Sequence, residues 1–363
     1  MSGLSPFPSN EPAEPFGPVF GDGRLDFSGT FENARVNRAE GTAFQTGDAA
    51  VVPGFAQEAS AGPNTLAATL IPASFGDYAF LLPSEAEAWR VAAETIRRCQ
   101  RIVGRPKRRH LIFCVGASAE VENVPPGLDA DDDITILRTD DPGALQLEIG
   151  PKTAGFFVAP VRTQNGLEVL AGSLLAGLRE TADEYGLVLA FDETFCGLGR
   201  TGMMWAHEWT GVTPDLMIST RGLAGSLPLA ALVVTQKVAR GAPASLPAAD
   251  QAVLAAGHAV MDDLLSPGFE ERVQNRAWYL EDRLASLSYN HRDIFHGQCG
   301  IGLMQGLVCT GKVEPMRAKL AERGLLTRAM GPVLGLFPPL TVDESEIDAA
   351  VSMVATVCAG DGS

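Results

Sequence analysis

An arginine stands where a strand runs into a Gly-rich loop in LMISTRGLAGSLP, residues 216–228. Many α/β enzymes place a reactive group at such a junction. Here the group is Arg221, whose guanidinium stays protonated and therefore cannot act as an amine nucleophile. Its planar fork of donors suits a carboxylate, a phosphate or a developing oxyanion. The sequence thus predicts that Arg221 binds or stabilises negative charge.

Two acids, Asp192 and Glu193, end the apolar run LVLAFDE at 187–193. The carboxyl end of a buried strand is where doubly wound folds bind ligands. Both acids are candidate general acids or bases, with pKa values raised by burial. A helix-capping or salt-bridged role is the alternative, and it stays open. Five more side chains are predicted to bind substrate: Ser84, Glu85, Arg162, Thr194 and Phe195.

The hexapeptide GLGRTG at 197–202 matches the dinucleotide fingerprint G-x-G-x-x-G. That fingerprint works when its glycines form the turn directly between a strand and a helix, and this context is missing here. His207 and Glu208 lack the second histidine of H-E-x-x-H, and the other histidines show no ligand spacing. We therefore predict neither a nucleotide site nor a metal site.

Apolar runs that alternate with amphipathic helices must position these groups. Residues 84–103 have helical spacing with Ser84 as the N-cap, and 167–186 form a helix that ends at Gly186. Strands that alternate with helices indicate an α/β fold with a mostly parallel sheet and helices on both faces. Buried strands are predicted at 109–115, 134–137, 155–161 and 187–193.

The pattern changes after about residue 245. Long helices at 250–288, a Gly-rich strand at 299–309 and a closing helix at 343–358 indicate a second, smaller α+β domain. The predicted organisation has four parts: an extended N-terminal arm at 1–20, a segment at 21–60 that packs with the small domain, a large α/β domain at 61–245, and a small C-terminal domain at 246–363.

Composition limits the location and the partners of the chain. Its 363 residues are 46% hydrophobic with a net charge of −16, and no apolar run approaches the length of a membrane span. The N-terminus has neither a basic start nor an apolar core, so no secretory signal is predicted. The six cysteines lie singly, which favours reduced thiols in the cytoplasm. The acidic balance argues against nucleic acid and anionic membranes, and we expect a small-molecule substrate.

The segment LVLAFDETFCGLGRTGMMWAHEWTGVTPDLMISTRGLAGSLPLAALVVT resembles the core of class III aminotransferases, fold type I enzymes that use pyridoxal 5′-phosphate (PLP). The family pattern runs approximately F-D-E-V-Q-x-G-x-G-R-T-G, then H-E, then G-V-x-P-D, then K-G-[LI]-[GA]-G-G-x-P-[LI]. The match continues over nearly fifty residues without a gap. The resemblance implies the fold type I architecture and a homodimer.

In the same alignment, several residues that surround the cofactor in the family are replaced in this sequence. The Schiff-base lysine of the family falls on Arg221, and a guanidinium can neither form an imine nor shuttle a proton. Asp192, which the family pairs with the pyridine nitrogen, is retained. Five other positions depart from the family pattern: Pro83 for glycine in the phosphate loop, Ala159 for glutamate, Thr194 for valine, Phe195 for glutamine, and Gly335 for an arginine that often binds substrate carboxylate.

From these losses we predict that the chain cannot perform PLP Schiff-base transamination and has no cofactor. The favoured hypothesis is a PLP-independent enzyme that uses the old cofactor cleft, with Arg221, Asp192 and Glu193 as catalytic residues. Its acid/base chemistry would be cyclisation, elimination, isomerisation or condensation of an anionic small molecule, in the biosynthesis of a specialised metabolite. The alternative is a non-catalytic homologue, a partner, scaffold or ligand sensor, in which Arg221 pairs with Asp192. A third hypothesis keeps PLP bound non-covalently, with Arg221 facing its phosphate or phenolate.

Overall fold

The computed structural model describes residues 24–28, 65–117, 124–129, 133–138 and 141–360. The arm predicted at 1–20 and nearly all of the segment predicted at 21–60 lie outside these ranges. The strands are β1 (Leu25–Asp26), β2 (Tyr78–Leu82), β3 (His110–Val115), β4 (Ile134–Arg138), β5 (Thr153–Val158), β6 (Val161–Arg162), β7 (Glu168–Val169), β8 (Val188–Asp192), β9 (Leu216–Ser219), β10 (Ala230–Val234), β11 (Phe295–Ile301), β12 (Met304–Cys309), β13 (Leu325–Leu326), β14 (Arg328–Met330) and β15 (Val333–Leu336). The α-helices are α1 (Leu66–Leu70), α2 (Glu85–Ile102), α3 (Pro142–Glu148), α4 (Gly172–Tyr185), α5 (Gln236–Ala239), α6 (Gln251–Leu264), α7 (Phe269–Asn290), α8 (Val313–Glu322) and α9 (Glu344–Cys358), and a 3₁₀ helix spans Ala206–Thr210.

Seven strands form the central sheet, in the order β2-β10-β9-β8-β5-β3-β4. The strands from β9 to β4 in this order run parallel, and β10 runs antiparallel to both of its neighbours. Strands β5, β9 and β10 are buried along their whole length, as expected when helices cover both faces of a sheet. The mostly parallel α/β sheet predicted from the sequence is confirmed.

Successive side chains of the sheet supply two separate apolar layers. In β5, Phe156 belongs to the layer under α4 and Phe157 to the layer under α2. Helix α2 begins as predicted, because the Ser84 hydroxyl accepts a hydrogen bond from the Glu87 N–H at 3.2 Å. Its Trp89 packs on Phe157 with ring centroids 5.3 Å apart. The start of α2 is thereby held against the edge of the sheet at which the parallel strands end.

Two predicted elements have different bounds. The helix predicted at 167–186 begins only at Gly172, because the residues before it pair as β7 with β6. It does end at Gly186, whose φ of +63° is the left-handed conformation that closes many helices. The single strand predicted at 299–309 is a hairpin, β11 and β12, whose turn contains Gly302 with φ +59°.

The C-terminal part carries an antiparallel sheet in the order β11-β12-β15-β14. The helical run predicted at 250–288 is two helices, α6 and α7, and the closing helix α9 begins with a capping box of Asp343 and Glu346. Strand β1 pairs in parallel with β13. The domain boundaries stay a prediction. In the described ranges, no helix is long and apolar enough to cross a membrane.

Candidate functional site

The ends of β8 and β9 bring Asp192 and Arg221 to one edge of the sheet. Asp192 is the last residue of β8 and lies beside Ile218 in the register with β9. Beyond the strands, the Thr194 carbonyl accepts hydrogen bonds from the Arg221 N–H and the Thr220 hydroxyl, both at 3.2 Å. These two bonds tie the loop after β8 to the loop after β9. The two loops that follow the strands therefore position the carboxylate of Asp192 and the guanidinium of Arg221, the pair predicted at the carboxyl edge.

One carboxylate oxygen of Asp192 is held and the other is open. Oδ1 accepts hydrogen bonds from the Thr194 N–H at 3.0 Å and from the Thr194 hydroxyl at 2.6 Å. No group within the described ranges donates a hydrogen bond to Oδ2. Burial raises the pKa of Asp192 to about 6; the two Thr194 hydrogen bonds lower it, and the negative charges of Glu85 and Glu193 raise it. The open oxygen therefore suits a ligand that brings a proton or a positive charge.

Glu193 faces the opposite side of the same strand end and is 1% exposed. Its Oε2 accepts a hydrogen bond from the Ala206 N–H at 2.7 Å, and its Oε1 accepts one from the His207 N–H at 3.0 Å. The His207 Nδ1 lies 2.7 Å from Oε1. Both oxygens thus hold the start of the 3₁₀ helix. The prediction of a catalytic Glu193 finds no support in this geometry, because its carboxylate is used within the protein.

Two guanidinium groups lie over one aromatic ring. The Cζ atom of Arg221 is 4.8 Å from the ring centroid of Phe195, and the Cζ atom of Arg328 is 4.6 Å from it. Phe337 contacts the same ring edge-on, with centroids 5.6 Å apart. A cation over an aromatic face is attracted by the negative face of the ring. The ion pair between Arg221 and Asp192 that the scaffold hypothesis requires is not formed among the described residues.

Arg328 is a functional candidate that sequence reasoning missed. It pairs with Gly335 across β14 and β15, so the two side-chain positions share one face of that sheet. A Cβ atom at Gly335 would come 2.8 Å from Met330 Cε and 3.1 Å from Phe337 Cζ. A side chain at 335 would therefore have to displace Met330, and Arg328 reaches Phe195 from the neighbouring strand. No local sequence pattern indicates a role for Arg328, because only the register of β14 and β15 places it beside position 335.

The residues predicted on the phosphate side lie at the N-terminus of α2. The Ser84 hydroxyl is occupied in capping the helix. Glu85 Oε1 accepts a hydrogen bond from Trp89 Nε1 at 3.5 Å. The negative charge of Glu85 contributes to the raised pKa of Asp192. Substrate binding by Ser84 and Glu85 stays a prediction.

Arg162 is buried in β6, 3% exposed, with its Nη1 3.3 Å from Glu168 Oε2. Burial raises the pKa of Cys114 to about 12, and the positive charge of Arg162 counteracts part of this effect. Since Cys114 lies near the end of β3, Arg162 stands at the same sheet edge as Asp192 but beside a different strand. Its role in substrate binding stays a prediction.

No lysine of the chain lies at this edge. Lys107 and Lys152 precede β3 and β5, at the amino end of the parallel strands. Lys237 follows the antiparallel strand β10, whose last residue, Val234, pairs with the first residue of β9. It therefore lies near the amino end as well. The two remaining lysines are on or next to α8: Lys312 and Lys319.

Comparisons with known proteins agree on one family. Residues 128–358 match the family model described as aminotransferase class-III. The acetylornithine aminotransferase of Mesorhizobium japonicum is 33% identical over 81% of this chain and 77% of its own. That of Bradyrhizobium diazoefficiens is 33% identical over 81% of this chain and 76% of its own. The solved structure of N-acetylornithine aminotransferase from Stenotrophomonas maltophilia matches with a TM-score of 0.76, at 23% identity, over 93% of this chain and 92% of that one.

These relatives overturn the predictions of function and cofactor. The prediction that the chain cannot perform PLP-dependent transamination and is a PLP-independent cyclase, lyase or isomerase is wrong, because relatives over most of the chain are named acetylornithine aminotransferases. The absence of a cofactor is wrong for the same reason, since PLP is the cofactor expected of class III aminotransferases. The fold type I architecture is confirmed by the structural match.

Proposed function

The chain belongs to the class III aminotransferase family, and from this membership we propose that it binds PLP without a covalent bond. The bound cofactor serves amino-group transfer on a small molecule that carries a carboxylate. The observation that supports this most directly is Asp192, whose buried carboxylate has an open oxygen at the end of β8. The names of the relatives make N-acetylornithine the first substrate to test. We also propose a homodimer located in the cytoplasm.

The residues present fit PLP, with one exception. A protonated ring nitrogen would bring a positive charge to Asp192 and so relieve the cost of burying this carboxylate. The N-terminus of α2 favours a phosphate, although Pro83 removes one N–H donor there. The exception is Arg221, because a guanidinium cannot take the place of the amine that binds PLP covalently. With no lysine at this edge, the fit is to a non-covalently held cofactor.

When bound, PLP supplies an electron sink for bond cleavage at the amine-bearing carbon. Asp192 holds a proton at the ring nitrogen, and Thr194 fixes the carboxylate through Oδ1. Arg221 and Arg328 each lie over the Phe195 ring, and their donors would bind the substrate carboxylate. These arginines orient the substrate and do not move protons, because a guanidinium does not titrate in the working range.

Borohydride reduction distinguishes non-covalent from covalent binding. We expect native mass spectrometry to show one PLP per wild-type chain, and this mass to be lost on denaturation even after borohydride treatment. Arg221→Lys supplies an amine at the site, so borohydride should fix the cofactor to that variant permanently. Arg221→Gln is the matched control, and after borohydride treatment it should release the cofactor on denaturation, as the wild type does. Loss of the amine from N-acetylornithine in a single turnover, followed by mass spectrometry, tests the activity.

Two results would contradict the proposal. Wild-type protein that takes up no PLP even at millimolar concentration has no cofactor site. A wild-type chain that borohydride links to PLP uses an amine that the site geometry does not provide. Asp192→Asn tests where the cofactor binds. It should weaken PLP binding about 100-fold, because the charged hydrogen bond between the Asp192 carboxylate and the ring nitrogen would be lost.

A further inference from the structure

A basic groove lies at the far end of α2, on the opposite edge of the central sheet from Asp192. It encloses about 480 Å³, which is within the range of small-molecule sites. One face of α2 supplies most of its lining, at helical spacing, and the loop before β3 supplies the rest. The charged side chains that line the groove are Arg90, Glu94, Arg97, Arg98, Arg101 and Arg109.

The positive charge of the chain is concentrated beside this groove. Residues 97–109 hold seven of the 28 Lys and Arg residues and no Asp or Glu. The rest of the chain therefore has 21 basic against 44 acidic residues, a net charge of −23. An acidic protein that keeps a wholly basic stretch of this length has a local positive field of opposite sign to its surroundings.

The protein satisfies hydrogen bonds of Arg105 and Arg108 without neutralising the charges of these two residues. Arg108 Nη1 donates to the carbonyls of Tyr185 and Gly186, both at 2.9 Å, and Arg105 Nη1 donates to Gly186 at 3.1 Å. A carbonyl accepts a hydrogen bond and carries no net charge. Burial and the like charge of Arg105 lower the pKa of Arg108, as expected for neighbouring cations. These bonds hold the basic loop against the end of α4.

Few carboxylates offset this charge. Glu87 lies 2.6 Å from Arg90, and Glu94 lies 3.6 Å from Arg90 and 3.5 Å from Arg98. In the part of the chain that the structure describes, Arg101 and Arg109 have no carboxylate within ion-pair distance. Both are exposed at the groove. The groove is therefore a surface with an excess of positive charge.

We propose that this groove binds a small polyphosphate anion, such as inorganic triphosphate or the triphosphate group of a nucleotide. Arginine forks match phosphate oxygens in geometry, and several adjacent phosphates match several adjacent guanidinium groups in charge. A single carboxylate would leave most of the positive charge uncompensated. A long polyanion would extend beyond the groove and be repelled by the rest of the chain, whose net charge is −23.

Calorimetric titration of the PLP-saturated protein with inorganic triphosphate, at low ionic strength, tests this site. Saturating PLP first keeps the phosphate probe out of the cofactor site. We expect one triphosphate per chain and an affinity that falls steeply with added salt. Arg101→Ala/Arg109→Ala should weaken binding at least about tenfold, since two charged donors are lost.

The matched control is Lys312→Ala/Lys319→Ala, which removes the same charge from α8. It should leave the affinity for triphosphate within about twofold of the wild type. Equal weakening in both double variants would show non-specific attraction and overturn the site, as would the absence of binding to wild-type protein. ATP should bind at least as tightly as triphosphate. Adenosine binding as tightly as ATP would overturn the assignment to a polyphosphate group.

Discussion

Asp192 and Glu193 are adjacent acidic residues, yet their side chains lie in environments that differ in burial and in hydrogen-bond partners. On the Asp192 side, defined here as Asp192, Thr194 and Phe195, the side chains are half-buried. On the Glu193 side, defined as Glu193, Ala206 and His207, they are buried. Because successive residues of a strand point to opposite faces, adjacent carboxylates at its end can enter opposite environments.

The hydrogen-bond partners of each carboxylate indicate its role. Glu193 accepts two backbone hydrogen bonds and lies against the imidazole of His207, so both of its oxygens are occupied within the protein. Asp192 accepts hydrogen bonds at one oxygen only. A satisfied buried acid stabilises the fold, whereas an open oxygen and a raised pKa make Asp192 the candidate for ligand binding.

Removing the carboxylate of Glu193 is the strongest test of this comparison. In Glu193→Ala, two backbone N–H groups and the His207 ring lose their buried partner, so we expect a loss of about 3–5 kcal/mol in the free energy of unfolding. Urea denaturation of the cofactor-free protein measures it. Glu193→Gln, which keeps one acceptor oxygen, should lose less. A stable Glu193→Ala protein without activity would break the comparison, because Glu193 would then be catalytic.

The Asp192 side should respond in the opposite direction. The pKa of Asp192 is raised from 3.8 to about 6 in the folded chain, so its ionised form destabilises the fold, and this cost appears as pH rises through that window. Asp192→Asn should therefore match the wild type below pH 4 and exceed its stability by about 2–3 kcal/mol above pH 6.

Urea denaturation of both proteins across this pH range, without cofactor, measures the difference. Addition of PLP should then stabilise the wild type more than the variant, because a bound cation relieves the cost of the buried carboxylate. A variant that is less stable than the wild type at every pH would show that Asp192, like Glu193, mainly holds the fold.

Local signals made most of the fold predictable. Ser84 at the cap of α2 and Gly186 at the end of α4 fixed helix ends, because each residue type suits its terminal backbone conformation. Asp192 and Arg221 could be placed together, since neighbouring parallel strands end at one edge. The hairpin turn at Gly302 was not predicted, because the apolar pattern continues through it without a break.

The site was predictable only where it depends on that edge. Arg328 was missed, because its position over Phe195 arises from the packing of the C-terminal sheet against the loop after β8. The cofactor was misjudged for a different reason. An arginine at 221 concerns only a covalent bond to the cofactor, whereas non-covalent contacts, such as one to the open oxygen of Asp192, do not depend on that bond. Counting lost residues gave each loss equal weight, whereas binding depends on the contacts that remain.

Substitution of Phe195 tests the same comparison and has the smallest expected effect. If the Asp192 side faces the ligand, Phe195→Leu should alter substrate binding while stability changes little, because the ring serves to hold Arg221 and Arg328. Without the ring, the two arginines must be ordered when the substrate binds, at a cost of about 0.5 kcal/mol or more each, which predicts a rise of at least about fivefold in the KM for N-acetylornithine with kcat retained.

Phe195→Tyr keeps an aromatic face and should keep the KM, whereas Phe337→Leu, which alters a side chain that is 1% exposed, should lower stability instead. Equal stability losses in Phe195→Leu and Phe337→Leu, with KM unchanged, would make both rings part of the same apolar core. Arg221 and Arg328 would then be oriented without the ring, and the distinction between a ligand side and a scaffold side at the end of β8 would rest on Asp192 alone.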